Sequence, residues 1–468
     1  MKLLLALLLT ASAACAQQSM PGMQMPSASS SNPTSSAATE AHSLAGAPLT
    51  GAPQNDVPLT GEPQNGPPLP RPPLSLDELL AIARTHNPTL RAAQASIAES
   101  AGRARQAAML PNPVIGYEGD QIRGGSFGGG EQGGFIQETI PLGGKLGLRR
   151  DVYRAQQRTG ELALTTQQQR VEADLESSFY AALALQLEVE TRKHLAALAT
   201  DAAQTARQLA NVGQADAPDV LQSEVEQEQA ALDTLSAQRR YIAAFHQLAA
   251  TAGEPDLPLA RLAGDLNASP APPPSLESIL EQSPAVQQAD QAVHAAEAEL
   301  RSAHREVVPD LTLRAGEQWN NELIRQNPNI ATGAQSFASA SIDLPLWNRN
   351  QGNIASAQAR LTAAQAEAQR VRLALRHSAA PLIEQYNVAA AQTSRYKSDL
   401  LPRAQHAWEL YSNRYRQMAA AYPQVLVSER TLFQLQIAYI QSLGELWQSS
   451  AQLRHFTLNG ALASPENQ

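Results

Sequence analysis

The chain has few residues whose types and spacing could perform chemistry. Its nine histidines are scattered, with no pair at the spacing of a helical metal site, and Cys15 is the only cysteine. The glycines of residues 124–130 lack the lysine and serine of a phosphate-binding loop, so we interpret the segment as a flexible outer loop. Met20, Met23 and Met25 could bind a soft metal, but scattered methionines usually have no such role. We predict no catalytic residue, no metal site and no cofactor, so the chain is not expected to be an enzyme.

The amino-terminal residues have the pattern of an export signal. Residues 1–16 contain one lysine, then an apolar stretch and small residues, as in a secretory signal peptide. The apolar stretch spans only about ten residues, too few for a transmembrane helix. Two processing routes stay open for Cys15: cleavage before it with acylation, giving a lipid anchor, or cleavage after Ala16, which discards it. In neither case can the mature chain form an internal disulfide, because it has no second thiol.

The composition excludes some partners and favours an extended assembly. The net charge is -9 and basic residues do not cluster, which argues against a nucleic-acid partner, since binding phosphates needs a positively charged face. Aromatic residues make up only 4% of the chain, whereas a compact core of this length normally needs more bulky residues. After the signal, no stretch approaches eighteen apolar residues, so any crossing of a membrane must use strands.

Most of the chain follows one plan twice. LSLDELL at residue 74 returns as PSLESIL at 274, TIPLGGK at 139 as DLPLWNR at 343, and PDVLQSE at 218 as PQVLVSE at 423. Ordered matches at a nearly constant offset indicate an internal duplication. The predicted segments are a signal peptide (1–16), a disordered Pro/Ser-rich leader (17–73), a first repeat (74–265), a second repeat (274–460) and a tail (461–468).

Within each copy, the apolar residues predict one long helix and two shorter ones. The apolar residues recur at alternating intervals of four and three residues, and many of the inward positions are alanine. This pattern indicates the contact seam of a coiled coil. A helix over 143–212 would be about 100 Å long, and each shorter helix would be about half of that, so two could stack beside it. Pro381 and Pro402 are expected to kink or interrupt the second long helix. The other predicted helices are 76–110, 218–253, 276–308, 346–416 and 423–458.

Four stretches of about ten residues alternate between apolar and polar side chains, the length and pattern of a membrane-spanning strand. Leu311 and Leu313, for example, oppose Thr312 and Arg314. Four strands cannot close a barrel, and unpaired strand edges are not tolerated in lipid, so several chains must contribute. The predicted strands are 113–122, 134–142, 309–319 and 336–346.

The duplicated order of helix, strand pair, long helix and returning helix resembles the TolC-type outer membrane efflux factors over residues 74–460. NPVIGYEGD, then QETIPLGGK followed by Arg149 and Arg150, is similar to the heavy-metal efflux branch typified by CzcC and CusC. The resemblance implies a mainly α fold with a small β part. It also implies a homotrimer whose 12-stranded outer-membrane β-barrel, set in lipid, continues into a periplasmic α-helical barrel. The expected partners are a periplasmic adaptor protein and a proton-driven inner-membrane pump.

The same resemblance assigns roles at the periplasmic tip. Val212 and Gly213, a few residues before Asp219, match the family's adaptor-contact pattern, and Asp219 with Asp216 would form a pore gate of carboxylates. Converging carboxylates repel one another, attract cations and are relieved by protonation. Alternatively, both aspartates only begin the next helix, where acidic residues favour the dipole. The second copy lacks the glycine in residues 417–420 and has no acid at Gln424 or Val427, so its part of the gate would be uncharged.

The resemblance implies an outer-membrane channel subunit that passively conducts substrates outward from the pump and adaptor, with heavy-metal cations as the expected substrate. Other functions compete with metal efflux. The same duct could serve drug efflux or type I protein secretion, since the family includes such channels. A periplasmic coiled-coil scaffold without a pore would also explain the heptad-like spacing.

Overall fold

The computed structural model describes residues 72–122, 130–213, 216–324, 327–417 and 422–462, without the side chains of 321–324, 327–332, 416 and 422. These ranges lie in one compact unit, Pro68–Gln468. The signal peptide, Cys15, the Pro/Ser-rich leader and its methionines lie outside the described residues, as do the glycines of the loop at 124–129.

The fold is mostly helical with a small sheet. In chain order the elements are β1 (Leu74–Ser75), α1 (Leu76–His86), α2 (Pro88–Ala107), β2 (Val114–Asp120), β3 (Glu131–Ile140), α3 (Lys145–Asn211), α4 (Ala217–Thr251), β4 (Leu262–Ala263), α5 (Leu276–Gln282), α6 (Pro284–Arg305), β5 (Leu311–Ile324), β6 (Asn327–Ile342), α7 (Gln351–Arg395), a π-helical turn (Tyr396–Leu400), α8 (Leu401–Arg416) and α9 (Tyr422–Arg454). Within the described ranges, no helix combines the length and apolar character needed to cross a bilayer.

The first long helix is confirmed. α3 runs without interruption for 67 residues, about 100 Å, because no proline interrupts it. The two single helices predicted over 76–110 and 276–308 are wrong, because each is divided by a proline. Asn87 and Ser283 take an extended conformation before Pro88 and Pro284, as residues preceding proline usually do.

The second long helical segment contains two prolines, and the α-helix continues through only one of them. α7 continues through Pro381, so the helix is not interrupted there. A π-helical turn, Tyr396–Leu400, directly precedes Pro402, which is the second residue of α8. Proline has no N–H and its ring crowds the carbonyl of the preceding turn, and the wider π turn relieves this crowding. At Pro402 the prediction of a kink or interruption is met by a local change from α- to π-helical turns, while the chain stays helical on both sides.

The four predicted strands form one antiparallel sheet in the order β2-β3-β5-β6. The pairing continues beyond the predicted ends, because β5 reaches Ile324 and β6 begins at Asn327, within the predicted loop. Similarly, β3 begins at Glu131 rather than at residue 134. Backbone hydrogen bonds extend the ladder where the side chains no longer alternate, so the apolar pattern underestimates these strands.

The sheet has two chemically different faces. The directly paired residues Ile115, Ile136, Ala315 and Ala338 lie on one face, with exposed side chains. The neighbouring residues along each strand lie on the opposite face and are more enclosed, which makes the opposite face the concave one. We refer to these as the apolar convex face and the polar concave face. The convex face also carries Glu317, so it is not wholly apolar.

The hydrophobic core lies among the helices. Phe179 of α3, Phe245 of α4 and Leu79 of α1 are almost fully buried in one cluster. A smaller cluster contains Ile279, the counterpart of Leu79 in the second copy of the motif. Apolar packing between the helices therefore holds them together. The convex face of the sheet, in contrast, leaves large apolar side chains exposed.

Candidate functional site

The four predicted site residues lie at the end of α3 and the start of α4. α3 ends at Asn211, and Gly213 follows with a φ of +74°, a conformation that favours glycine. The N–H of Gly213 donates to the Ala210 carbonyl at 3.1 Å. Val212 beside it is 68% exposed, so an apolar side chain points outward at the end of the helix pair.

The two aspartates take different positions at the start of α4. Asp216 is the residue before the helix, but its side chain makes no capping hydrogen bond. Asp219 lies in the first turn of α4 and is exposed, with no ion pair among the described residues. In this position the carboxylate of Asp219 is stabilised by the positive end of the helix dipole, as the second interpretation predicted. Because neither carboxylate is consumed by a cap or an ion pair, both are available to a gate, so the two interpretations are compatible.

The second tip, between α8 and α9, has no corresponding charge. Residues 418–421 lie outside the described ranges, and the printed sequence from Gln417 to Ser428 contains no acidic residue. Gln424 and Val427 are both exposed in the first turns of α9. In the repeated motif Gln424 therefore stands where the first tip presents Asp219, and Val427 where it presents Gln222.

Beyond the tips, a cavity of about 620 Å³ separates α3, α4 and α9. Arg430 of α9 donates to Glu226 of α4 at 2.6 Å and links the two copies. Burial raises the pKa of the neighbouring Glu429, and repulsion from Glu226 adds to the effect. Sequence analysis did not single out these residues. A signal was present in the repeated PDVLQSE and PQVLVSE motifs, which end in Glu224 and Glu429.

The concave face of the sheet is polar, and carboxylates predominate among its described charged side chains. Arg314 forms an ion pair with Glu118 and lies over the Phe135 ring, 4.0 Å from its centre. Glu131 accepts hydrogen bonds of 2.8 Å from Gln318 and Asn320. A third carboxylate, Asp120, lies on the same face. Three carboxylates against one guanidinium give this surface an acidic character.

The helices below the sheet form a curved wall. A second cavity, about 630 Å³, is lined by α2, α3, α6 and α7 together. These four helices pack side by side in that order, and a cavity that all four share indicates that the wall curves toward this side. On this side, Arg149 forms two hydrogen bonds with Glu306, at 2.8 and 2.9 Å. The buried Lys145, at the start of α3, pairs with Asp310 at 2.7 Å just before β5 and ties the helices to the sheet.

The described residues contain no group of three or more His, Cys, Asp and Glu side chains that could hold a metal. Ion pairs and packing account for the charged clusters described above.

The model of the outer membrane efflux protein family matches residues 275–457. The cobalt-zinc-cadmium resistance protein CzcC of Cupriavidus metallidurans is 29% identical over 385 residues, which cover 81% of this chain and 89% of that protein. The chain is similar to the outer membrane efflux proteins over its second repeat and to CzcC over most of its length. The resemblance to the TolC-type efflux factors and their heavy-metal branch is thus confirmed.

Solved structures share the fold of this efflux protein. The structure of CusC superposes with a TM-score of 0.67 at 18% identity, covering 82% of this chain and 92% of that one. The outer membrane protein VceC of Vibrio cholerae gives a TM-score of 0.66 at 18% identity, covering 82% and 96%. With the family match and the similarity to CzcC, the chain is an outer-membrane efflux channel component that extends into the periplasm.

Proposed function

We propose that this efflux protein is one subunit of a homotrimeric outer-membrane channel, which passively conducts heavy-metal cations outward from an inner-membrane pump and its periplasmic adaptor. The observation that carries the proposal is the open four-stranded sheet, with an apolar convex face, joined to a helix of 67 residues. The sheet supplies part of a wall in lipid, and the helix continues that wall into the periplasm.

The sheet supports the trimer because neither of its outer strands has a second partner among the described residues. β2 and β6 are the edges of the described sheet. In a bilayer, unpaired N–H and C=O groups cost several kcal/mol each, so β6 of one chain must pair with β2 of the next. Three chains with four strands each would close the 12-stranded barrel. The polar concave face would then line the lumen, as in other outer-membrane barrels.

The charge of this lumen favours cations as the substrate. Glu118, Asp120 and Glu131 outnumber Arg314 on the concave face, and the excess would be repeated in each subunit. A ring of carboxylates in a water-filled pore attracts cations. CzcC, the relative from Cupriavidus metallidurans, is named for resistance to cobalt, zinc and cadmium. The same three metals are therefore the first substrates to test.

At the tip we assign Asp219, with Asp216, to a gate of carboxylates, and Val212 with Gly213 to adaptor contact. The support for adaptor contact is the exposed apolar Val212 beside a glycine whose position has open space around it. The support for the gate is a pair of exposed carboxylates at the end where three subunits would converge.

Asp219→Ala should raise the single-channel conductance or the cation leak in planar bilayers, because it removes three converging carboxylates from the constriction. Glu228→Ala is the matched control, since Glu228 is exposed on the same helix but lies more than two turns from the tip. Unchanged conductance and ion selectivity for Asp219→Ala would remove the gate assignment.

Cys15 remains a candidate lipid anchor. If the signal peptide is cut before Cys15 and the thiol is acylated, cells grown with radioactive palmitate should yield a labelled protein, and Cys15→Ala should abolish the label. An unlabelled wild-type protein in a host with intact lipoprotein processing would mean that Cys15 is discarded with the signal.

Deletion of the gene should lower the concentrations of cobalt, zinc and cadmium at which the host strain still grows, because the exit across the outer membrane is lost. Copper, silver and common antibiotics serve as parallel tests. Sensitivity to antibiotics alone would favour a drug efflux duct, and failure to secrete a protein would favour type I secretion. Unchanged tolerance to every metal would contradict the metal proposal.

A further inference from the structure

A basic cleft lies between α3 and α6, just below the sheet. Arg154 and Arg158 of α3 and His294 and Arg301 of α6 line a cavity of about 550 Å³. Arg154 and Arg158 are one helical turn apart and exposed, and neither has an ion pair or hydrogen bond among the described residues. Arg301 and His294 share Glu297, at 3.9 and 3.3 Å.

The acidic side chains near the cleft do not neutralise it. Glu297 is shared between Arg301 and His294. Asp151 lies on the cavity wall and contacts Arg150 at 3.4 Å. Arg150 retains a buried Nε without a hydrogen-bond partner among the described residues. The cavity wall itself therefore carries three guanidinium groups and one carboxylate, and the two arginines of α3 have no ion pair among the described residues. The chain as a whole is acidic, with a net charge of -9, so this local excess of positive charge is unusual for the protein.

The cleft lies on the convex side of the helical wall. The cavity on the concave side uses Arg149, Val152 and Tyr153 of α3. Arg154 and Arg158 lie about half a helical turn away from Val152 and Gln156, since two residues correspond to about 200°. The cleft therefore faces away from the lumen.

The level of the cleft is set by exposed apolar residues above it. Leu344, Leu346 and Trp347, which follow β6, are 70%, 59% and 87% exposed. Tryptophan at the end of a membrane-crossing element typically lies at the headgroup level. Arg154 is nine residues into α3, about 14 Å below the start of that helix. Side chains on a helix tilt toward its N-terminus, so the guanidinium of Arg154 is directed upward toward the sheet.

We propose that this cleft binds the phosphate of an anionic phospholipid headgroup in the inner leaflet of the outer membrane. This inference rests on the proposed orientation of the channel in that membrane. Guanidinium groups bind phosphate oxygens through two parallel hydrogen bonds, and two arginines one turn apart on α3 face Arg301 across the cleft. The bound headgroup would hold each helical wall against the membrane surface at three equivalent positions in the trimer.

The test compares Arg154→Gln/Arg158→Gln with the wild-type trimer in detergent, counting retained lipid by native mass spectrometry. The probes are dioleoyl phosphatidylglycerol, dioleoyl phosphatidylcholine and inorganic phosphate. Two lost charges should weaken retention of phosphatidylglycerol on the order of ten-fold. The control, Arg239→Gln/Arg395→Gln, removes the same charge from exposed positions farther along the helices and should retain phosphatidylglycerol like the wild type.

Equal retention of phosphatidylglycerol by the double variant and the wild type would overturn the proposal. If the wild type retained phosphatidylcholine as well as it retains phosphatidylglycerol, the proposal would also be overturned, since the cleft would then not select an anionic headgroup. Displacement of the lipid by millimolar phosphate would mean that free phosphate is the ligand, against the proposal. Conductance of the same samples in planar bilayers separates the two proposals, because its absence from the wild type would contradict the channel and not the cleft.

Discussion

Gly133→Ala is expected to prevent assembly of a stable trimer. A Cβ at this position would overlap the carbonyl oxygen of Glu317 and approach the Cα of Gln318 to 2.5 Å, and both belong to the backbone of the paired strand β5. Backbone atoms within a ladder cannot move aside as a flexible side chain can. Overpacking of this kind typically costs about 1–3 kcal/mol per site, and a trimer contains the site three times.

The neighbouring glycine supplies the control. A Cβ at Gly134 has its nearest atom, the Gly116 carbonyl oxygen, at 3.7 Å, which is ordinary contact. Gly134→Ala should therefore assemble like the wild type. The measurement is the temperature at which the detergent-extracted trimer dissociates on a semi-native gel. Similar dissociation temperatures for the two variants would show that the β3–β5 pairing does not limit assembly.

Phe245→Ala is expected to destabilise the helical part strongly. Phe245 is fully buried on α4, in the cluster that also contains Phe179 and Leu248. Truncating such a side chain removes its burial and leaves a cavity, with a typical cost of about 3–5 kcal/mol. The apparent melting temperature followed by circular dichroism at a helix wavelength should fall by many degrees.

Phe245→Leu provides a matched comparison, because it keeps most of the apolar volume. A change of this kind in a core usually costs less than about 1.5 kcal/mol. The leucine variant should therefore melt between the wild type and the alanine variant. An alanine variant that melts like the wild type would mean that this cluster is not the centre of stability of the helices.

Periodicity alone predicts the elements that bury apolar side chains on one side. The heptad-like spacing predicts α3 to within two residues at its start and one at its end, and the alternation predicts all four strands of the sheet. It also predicts that Arg314 lies opposite Leu313, which the register confirms. These predictions succeed because each depends on local repetition of residue types.

The parts that sequence reasoning missed depend on contacts between distant residues. The ion pair of Arg430 with Glu226 joins residues 204 positions apart, and no local pattern specifies it. The helix breaks at Pro88 and Pro284 lie at matching positions of the two repeats, in Asn87-Pro88 and Ser283-Pro284. A proline alone does not predict a break, because α7 continues through Pro381. Whether a proline divides a helix depends on the packing around it. The roles of Asp216 and Asp219 remain predictions for the same reason, since their neighbours across a trimer belong to other chains.

The neutral second tip has a consequence for symmetry. In a trimer, each subunit would present one turn with Asp219 and one turn with Gln424 and Val427. Six similar helical hairpins would then alternate between charged and neutral around the axis, so the end of the tube would be six-fold in outline and three-fold in electrostatics. A ring of six identical partner molecules would meet two kinds of docking position, and an odd–even difference in their affinities would follow.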